Sequence, residues 1–141
     1  MRDLHNTIDV IESIDPVAVG TTGTGKTGAV VDIKGYDAAE CIVSYGAITA
    51  TAATFTVTIL EGDTTGAMTS VADADLLGTE AGAGLAAAAR VDGSTENLTK
   101  RIGYIGNKRY VQTKIVSTAT AGTPVAASWV LSRAHRGPVA T

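Results

Sequence analysis

The chain has 141 residues, a formal net charge of −3 and only 18% charged residues. That length corresponds to one domain, which buries roughly 68–70% of its unfolded surface without a disulfide or metal staple. The charge argues against a general nucleic-acid binder, which needs a basic surface to displace phosphate counterions. No apolar run approaches the roughly 18–20 residues that span a bilayer. The start, MRDLHNTIDVIESID, mixes acidic with apolar residues, unlike a signal peptide. The expectation is a soluble protein made in the cytoplasm, with no membrane partner. The single Cys41 cannot form an internal disulfide, and no CxxC or Cys/His cluster offers a zinc site; in the run CIVSY the thiol reads as a small buried hydrophobe. A hydrophobic fraction of 45% with only 4% aromatics, built on Gly, Ala, Thr and Val, suits sheets with thin cores and predicts an all-β fold.

Residues 1–24 read as an extended arm. Leu4, Ile8, Val10, Ile11 and Ile14 are apolar there, without a capping box or a sustained 3.6-residue period. Pro16, Gly20, Gly23 and Gly25 prevent a long helix, leaving at most a short helical turn over Thr7–Ser13. Apolar residues on an unanchored terminus must be covered by their own domain or by a neighbour, which makes these five the candidate inter-subunit contacts.

Gly20 to Thr27, GTTGTGKT, matches the phosphate-binding pattern GxxxxGK[ST]. That loop works between a buried strand and a helix whose N-terminus faces the phosphates. Here SIDPVAV precedes it, interrupted by proline, and GAVVDIKGYD follows, with glycines and β-branched residues. A second Mg²⁺ ligand at the end of a parallel core strand is also missing, since TVTILEGD alternates as a half-wet antiparallel strand does. A P-loop nucleotide-binding protein is therefore the remote alternative.

From Gly28 the chain settles into strands over Ala29–Ile33, Cys41–Tyr45 and Thr54–Leu60, the last with Phe55, Val57 and Ile59 on one face and threonines on the other. The threonine row reads as a solvated face. Val71–Leu77 reads as a short helix or an irregular edge, and Glu61, Asp63, Asp73 and Asp75 lack the spacing of an EF-hand. Leu85–Val91 is an Ala-rich helical turn or strand, and Asp92-Gly93 a turn. Leu98–Ser117 reads as a hairpin turning at Gly106-Asn107, and it carries the densest basic cluster, Lys100, Arg101, Lys108, Arg109 and Lys114. After a turn at Ala121–Pro124, Val125–Arg133 is the last strand, with Trp129 buried against Tyr104 or Phe55 and its indole N–H paired. The tail from Ala134 is polar. His5 and His135 have no acidic or thiol neighbour in sequence, and no nucleophile elbow or carboxylate pair is present, so no catalytic residue, cofactor or metal ligand is assigned.

Short strands at regular spacing predict an antiparallel β-sandwich or jelly roll for residues 25–141, with the arm in front. The segments VVDIKGYDAAECIVSYGAIT, FTVTILEGDTTGAMTSVADADLLG, IGYIGNKRYVQTKIV and WVLSRAHRGP, spanning Gly28 to Pro138, resemble the head decoration or cement proteins encoded beside the major capsid gene in tailed phages. The resemblance implies a non-enzymatic structural protein of the virion's outer surface. It would bind the major capsid protein as a homo-oligomer, with a trimer favoured at threefold positions. A head–tail connector or a tail or receptor-binding β module is the alternative station.

Overall fold

A computed structural model of the protein describes residues 4–19, 25–47, 54–85, 97–117 and 123–135. Period-two burial organises its long strands. In Tyr110–Ser117 the residues Val111, Thr113, Ile115 and Ser117 are buried and their neighbours half-buried. Phe55, Val57 and Ile59 face inward from Phe55–Gly62, and Val125, Ala127, Trp129 and Leu131 from Thr123–Ala134. Such alternation forms when one face of a sheet packs on a core and the other meets solvent.

The strands are β1 (Ile8–Val19), β2 (Lys26–Thr27), β3 (Val31–Asp32), β4 (Tyr36–Tyr45), β5 (Phe55–Gly62), β6 (Thr69–Ser70), β7 (Leu76–Leu77), β8 (Leu98–Tyr104), β9 (Tyr110–Ser117) and β10 (Thr123–Ala134). A 3-10 turn at Asp73–Asp75 and a one-turn helix α1 at Glu80–Ala83 complete the described elements. All strand pairs are antiparallel, in two sheets ordered β1-β10-β4-β8-β7 and β2-β9-β5-β6, with β3 following β2 along β9.

This order is that of one long antiparallel ribbon, rolled up. β1 pairs β10, β2 and β3 pair β9, β4 pairs β8, and β5 pairs β6, so the first strand meets the last and each later pair lies inside the previous one. Rolling the ribbon adds the cross-pairs β10·β4 and β9·β5 and divides it into two facing sheets. That is the jelly roll, and the all-β sandwich expected from composition and spacing is the observed fold.

Two local expectations change. Residues 98–104 and 110–117 are strands, but they do not form a hairpin: β8 lies between β4 and β7, and β9 lies in the other sheet. Ile102 and Tyr104 on β8 and Val111, Thr113 and Ile115 on β9 each need the core, and a crossing between sheets buries both sets. Residues 8–19, read as part of an arm with a helical turn over Thr7–Ser13, instead form a strand hydrogen-bonded to β10 from Ile8↔Ser132 to Val19↔Thr123. Register shifts between Glu12 and Ile14 and between Ile14 and Val17 break the alternation that would have revealed this strand. At the first shift Ser13 turns inward: its carbonyl accepts from Ala29 N–H (2.6 Å) and its hydroxyl donates to the Ala29 carbonyl (3.0 Å). The readings for Leu85–Val91 beyond residue 85, for Asp92-Gly93, for Ala121-Gly122 and for the tail after His135 lie outside the described residues.

Trp129 is fully buried, and its indole N–H donates to Thr113 Oγ1 (3.1 Å), which also lies 3.2 Å from Cys41 Sγ. The ring pair at one end of the core is Tyr45 with Phe55, centroids 5.7 Å apart. There Tyr45 Oη donates to the Ala83 carbonyl (2.8 Å), so α1 closes this end of the sandwich.

Ile14 is fully buried whereas Val10 is 58% exposed on the same strand. Ile14→Ala is expected to lower the unfolding free energy by about 2–5 kcal/mol, and Val10→Ala to change it by no more than about 0.5 kcal/mol, both read from urea denaturation. Burial pushes the Cys41 thiol up to about 12. It should therefore resist an aromatic disulfide reagent in the native protein and react at once when the chain is unfolded in urea.

Candidate interaction surface

Residues directly opposite one another in an antiparallel pair share a face of the sheet. On the outer face of the five-stranded sheet this rule traces one row across all its strands: Val10 opposite Val130, Val130 opposite Glu40, Glu40 opposite Gly103, and Gly103 opposite Leu77. The adjoining row carries Ile8, Ser132 and Ala38, and the row on the other side Glu12, Ser128, Ile42 and Arg101. The Glu40 carboxylate, in the middle of the apolar row, is drawn toward Arg101 Nε at 3.4 Å.

Gly103 makes this surface concave. A Cβ there would stand 3.0 Å from Leu77 Cβ, so the missing side chain lets Leu77 lie flat against β8. The result is a groove of about 540 Å³ lined by Leu4, Ile8, Leu77, Tyr104, Ile105 and Val130 together with the charged rim residue Arg133. Four large hydrophobic side chains stand out as exposed among the described residues, Leu4 (64%), Val10 (58%), Leu77 (58%) and Ile105 (56%), and all belong to this face or its rim. Exposed apolar side chains gathered in one patch mark an interaction surface, whereas scattered ones need no explanation.

Of the five residues singled out in the sequence, Leu4, Ile8 and Val10 belong to this surface. Ile11 lies opposite Trp129 and packs half-buried against the core, and Ile14 lies within it. The sequence reading did not include Val130, Leu77 and Ile105. Val130 was legible as the residue between two inward positions in SWVLS, but nothing in VADADLL or YIGNK announces that Leu77 and Ile105 stand beside it.

The free edge of β1 is poorly suited to accept another strand. Its two register shifts, Pro16 and the charged Asp9, Glu12 and Asp15 are the features that blunt an exposed edge. Asp9 Oδ2 is moreover occupied by the Tyr36 hydroxyl, which donates to it at 3.0 Å. The other sheet ends are strands of two residues, β7, β2 and β6.

The basic cluster around 98–117 is largely neutralised within the molecule. Lys108 Nζ pairs with Asp63 Oδ2 at 2.7 Å, Arg109 grips both carboxylate oxygens of Asp32 at 2.6–3.1 Å and lies 4.8 Å from the Tyr110 ring centroid, and Lys100 Nζ donates to the Gly84 carbonyl at 2.9 Å. Tyr104 Oη accepts from Lys108 N–H (2.9 Å) and donates to Glu61 Oε2 (2.5 Å). Burial, reinforced by Glu61, raises its pKa. His135, isolated in sequence, meets Asp37 at 2.5 Å. Lys26 and Thr27 of the phosphate-loop pattern are strand residues opposite Ile115 and Lys114, and no helix follows them, while residues 20–24 lie outside the described residues. Among the described residues no group of three or more His, Cys, Asp or Glu side chains is placed to hold a metal ion. No helix among them is long and apolar enough to cross a membrane.

No protein-family model matches the sequence, and no curated protein matches it. Solved structures do match. The VP2 subviral particle of infectious bursal disease virus aligns at 12% identity over 91% of this chain and 32% of that one, with a TM-score of 0.48. The tobacco streak virus coat protein aligns over 100% and 94%, with TM-score 0.40 and 10% identity. A Clostridium thermocellum xylanase 10B of CBM22-1 and GH10 modules aligns over 93% and 30%, at TM-score 0.44 and 10% identity. The chain thus spans about a third of the VP2 chain. Likenesses this distant do not bear on function, and the jelly roll rests on the strand pairing itself.

The Arg109 guanidinium holds the Asp32 carboxyl below its ordinary value of 3.8. A carboxylate with a depressed folded pKa contributes stability above its unfolded pKa and loses it as pH falls through the folded one. Arg109→Gln is expected to lower stability near neutral pH and to converge on the parent in acid, once Asp32 is protonated in both, a small effect because both side chains are over 40% exposed. Urea denaturation across that range measures it.

Proposed function

We propose that this chain is a structural virion protein that decorates and stabilises the outer surface of a tailed-phage capsid by binding the lattice of the major capsid protein as a homo-oligomer. The observation that carries the reading is the placement of Leu4, Val10, Leu77 and Ile105 on one side of a single antiparallel sheet. A sandwich that fills its own core and still presents this patch is suited to assembly with other chains. The resemblance of residues 28–138 to head decoration proteins supplies the kind of assembly. A protein repeated over a shell gains strength from number, so modest contacts per copy suffice.

Co-sedimentation with expanded capsids that lack the protein tests this. Saturable binding is expected, and Val10→Asp should weaken it at least about tenfold, the cost of burying an unpaired charge at an apolar contact. Removing residues 1–24 is the less informative variant, since it takes away β1 and with it Ile14 of the core. Full-length protein that stays in the supernatant while the shells pellet would overturn the reading.

A further inference from the structure

Arg133 differs from the other charged residues that line the groove. Asp37 and Glu40 line it too, and each already has a side-chain partner: Asp37 Oδ1 lies 2.5 Å from His135 Nε2, and Glu40 Oε1 lies 3.4 Å from Arg101 Nε. The Arg133 guanidinium is exposed and has no ion-pair or hydrogen-bond partner among the described residues. Its backbone is also unusual. Residue 133 falls between the pairs Ser132↔Ala38 and Ala134↔Tyr36, two positions beyond the buried Leu131, so alternation alone would send its side chain to the inner side of the sheet. A φ of 56° breaks the alternation, and the side chain lines the groove instead. The left-handed region crowds the Cβ of any residue but glycine. Leu131 ends the row of buried side chains on β10, so the core gains nothing from an arginine held this way. Strain kept at an unpartnered charge beside an apolar groove points to a use outside the molecule.

A guanidinium presents a planar fork of N–H donors that matches a carboxylate with two parallel hydrogen bonds. Such a pair gains most where apolar contact around it excludes water. The groove offers that contact in Ile8, Val130, Leu4, Leu77 and Ile105, the last three more than half exposed. It opens along the outer face of the sheet, so a small ligand lying in it would stay wet on one side, unlike one enclosed in a pocket. The face of another protein would cover the aliphatic side chains and the guanidinium together. We propose that the groove receives a segment of the major capsid protein in which aliphatic side chains flank an aspartate or glutamate, the aliphatic groups covering the apolar row and the carboxylate closing on Arg133. This rests on the virion reading and adds to it the chemistry of the partner. The aliphatic contact supplies area, and Arg133 selects the segment and fixes its position, since a partner without the acid would bury the guanidinium unanswered.

Substitutions of Arg133 in the full-length protein, assayed by co-sedimentation with the same shells, test it. Arg133→Gly removes the guanidinium and suits the positive φ, so its urea midpoint is expected to be no lower than the parent's. Its binding to shells should nevertheless fall about tenfold or more, as loss of a charged hydrogen-bonded pair implies. Arg133→Lys, which keeps the charge and loses the fork, should fall between the two, and Arg133→Glu should bind least. If Arg133→Gly pellets as the parent does while Val10→Asp does not, the acidic partner is wrong and the virion reading stands. Shells left bare by the parent remove both. A parent that self-associates in sedimentation equilibrium, and ceases to when Arg133 is replaced by glycine, would overturn the proposal by showing a second copy in the groove.

Discussion

One hydroxyl group joins the two sheets at their centre. Thr113 Oγ1, on β9, meets Trp129 Nε1 from β10 and Cys41 Sγ from β4, with all three residues fully buried. An indole N–H sealed in an apolar interior costs about 1–3 kcal/mol without an acceptor, and Thr113 is the acceptor that the facing sheet offers. Because side chains alternate along a strand, a slip of one residue in β9 would turn Thr113 to solvent and leave both partners unanswered. The register of one sheet therefore constrains that of the other, and the apolar positions around Thr113, Val57, Ile59, Ile102 and Ile115, fill the space this contact defines.

With the core satisfied in this way, the outer faces are free to differ. The sheet of β2, β3, β9, β5 and β6 turns Thr56, Thr58, Gln112 and Lys114 outward, a surface at ease in water. The five-stranded sheet turns out Val10, Val130 and Leu77. Both sheets have the same kind of interior, so the contrast is not needed for folding. The blunted edge of β1 belongs to the same logic, since an open ladder next to an apolar face would invite pairing without a defined stopping point.

Much of the fold was legible because alternation is a local property. FTVTI and VAASWVLSR each announce which side faces in, and the scarcity of helix formers with steady turn signals announces a sandwich. What failed was non-local. Whether β8 turns back on β9 or crosses to the other sheet depends on where the facing apolar residues are, and LTKRIGYIGNKRYVQT reads equally well either way. β1 was hidden for a different reason: two register shifts and a proline erase its period, although the same irregularities make it a safe edge. The exposed apolar patch was half legible. Leu4, Ile8 and Val10 drew notice as apolar residues in an acidic segment, while Leu77 and Ile105 join them only through β7 and the β8–β9 crossing.

The nested pairing also sets the order in which the chain can give up its entropy. β5 and β6 close a loop of a few residues, β4 and β8 one that spans a large part of the chain, and β1 and β10 join Ile8 to Ser132, nearly its full length. Loop closure becomes less favourable with separation, and long-range β pairing is slow. A ribosome must release the whole jelly roll through β10 before the outermost pair can form. Until then β1 has no partner and β4 has no neighbour on one side, and these open ladders are the ones exposed to wrong pairing in the half-built sandwich.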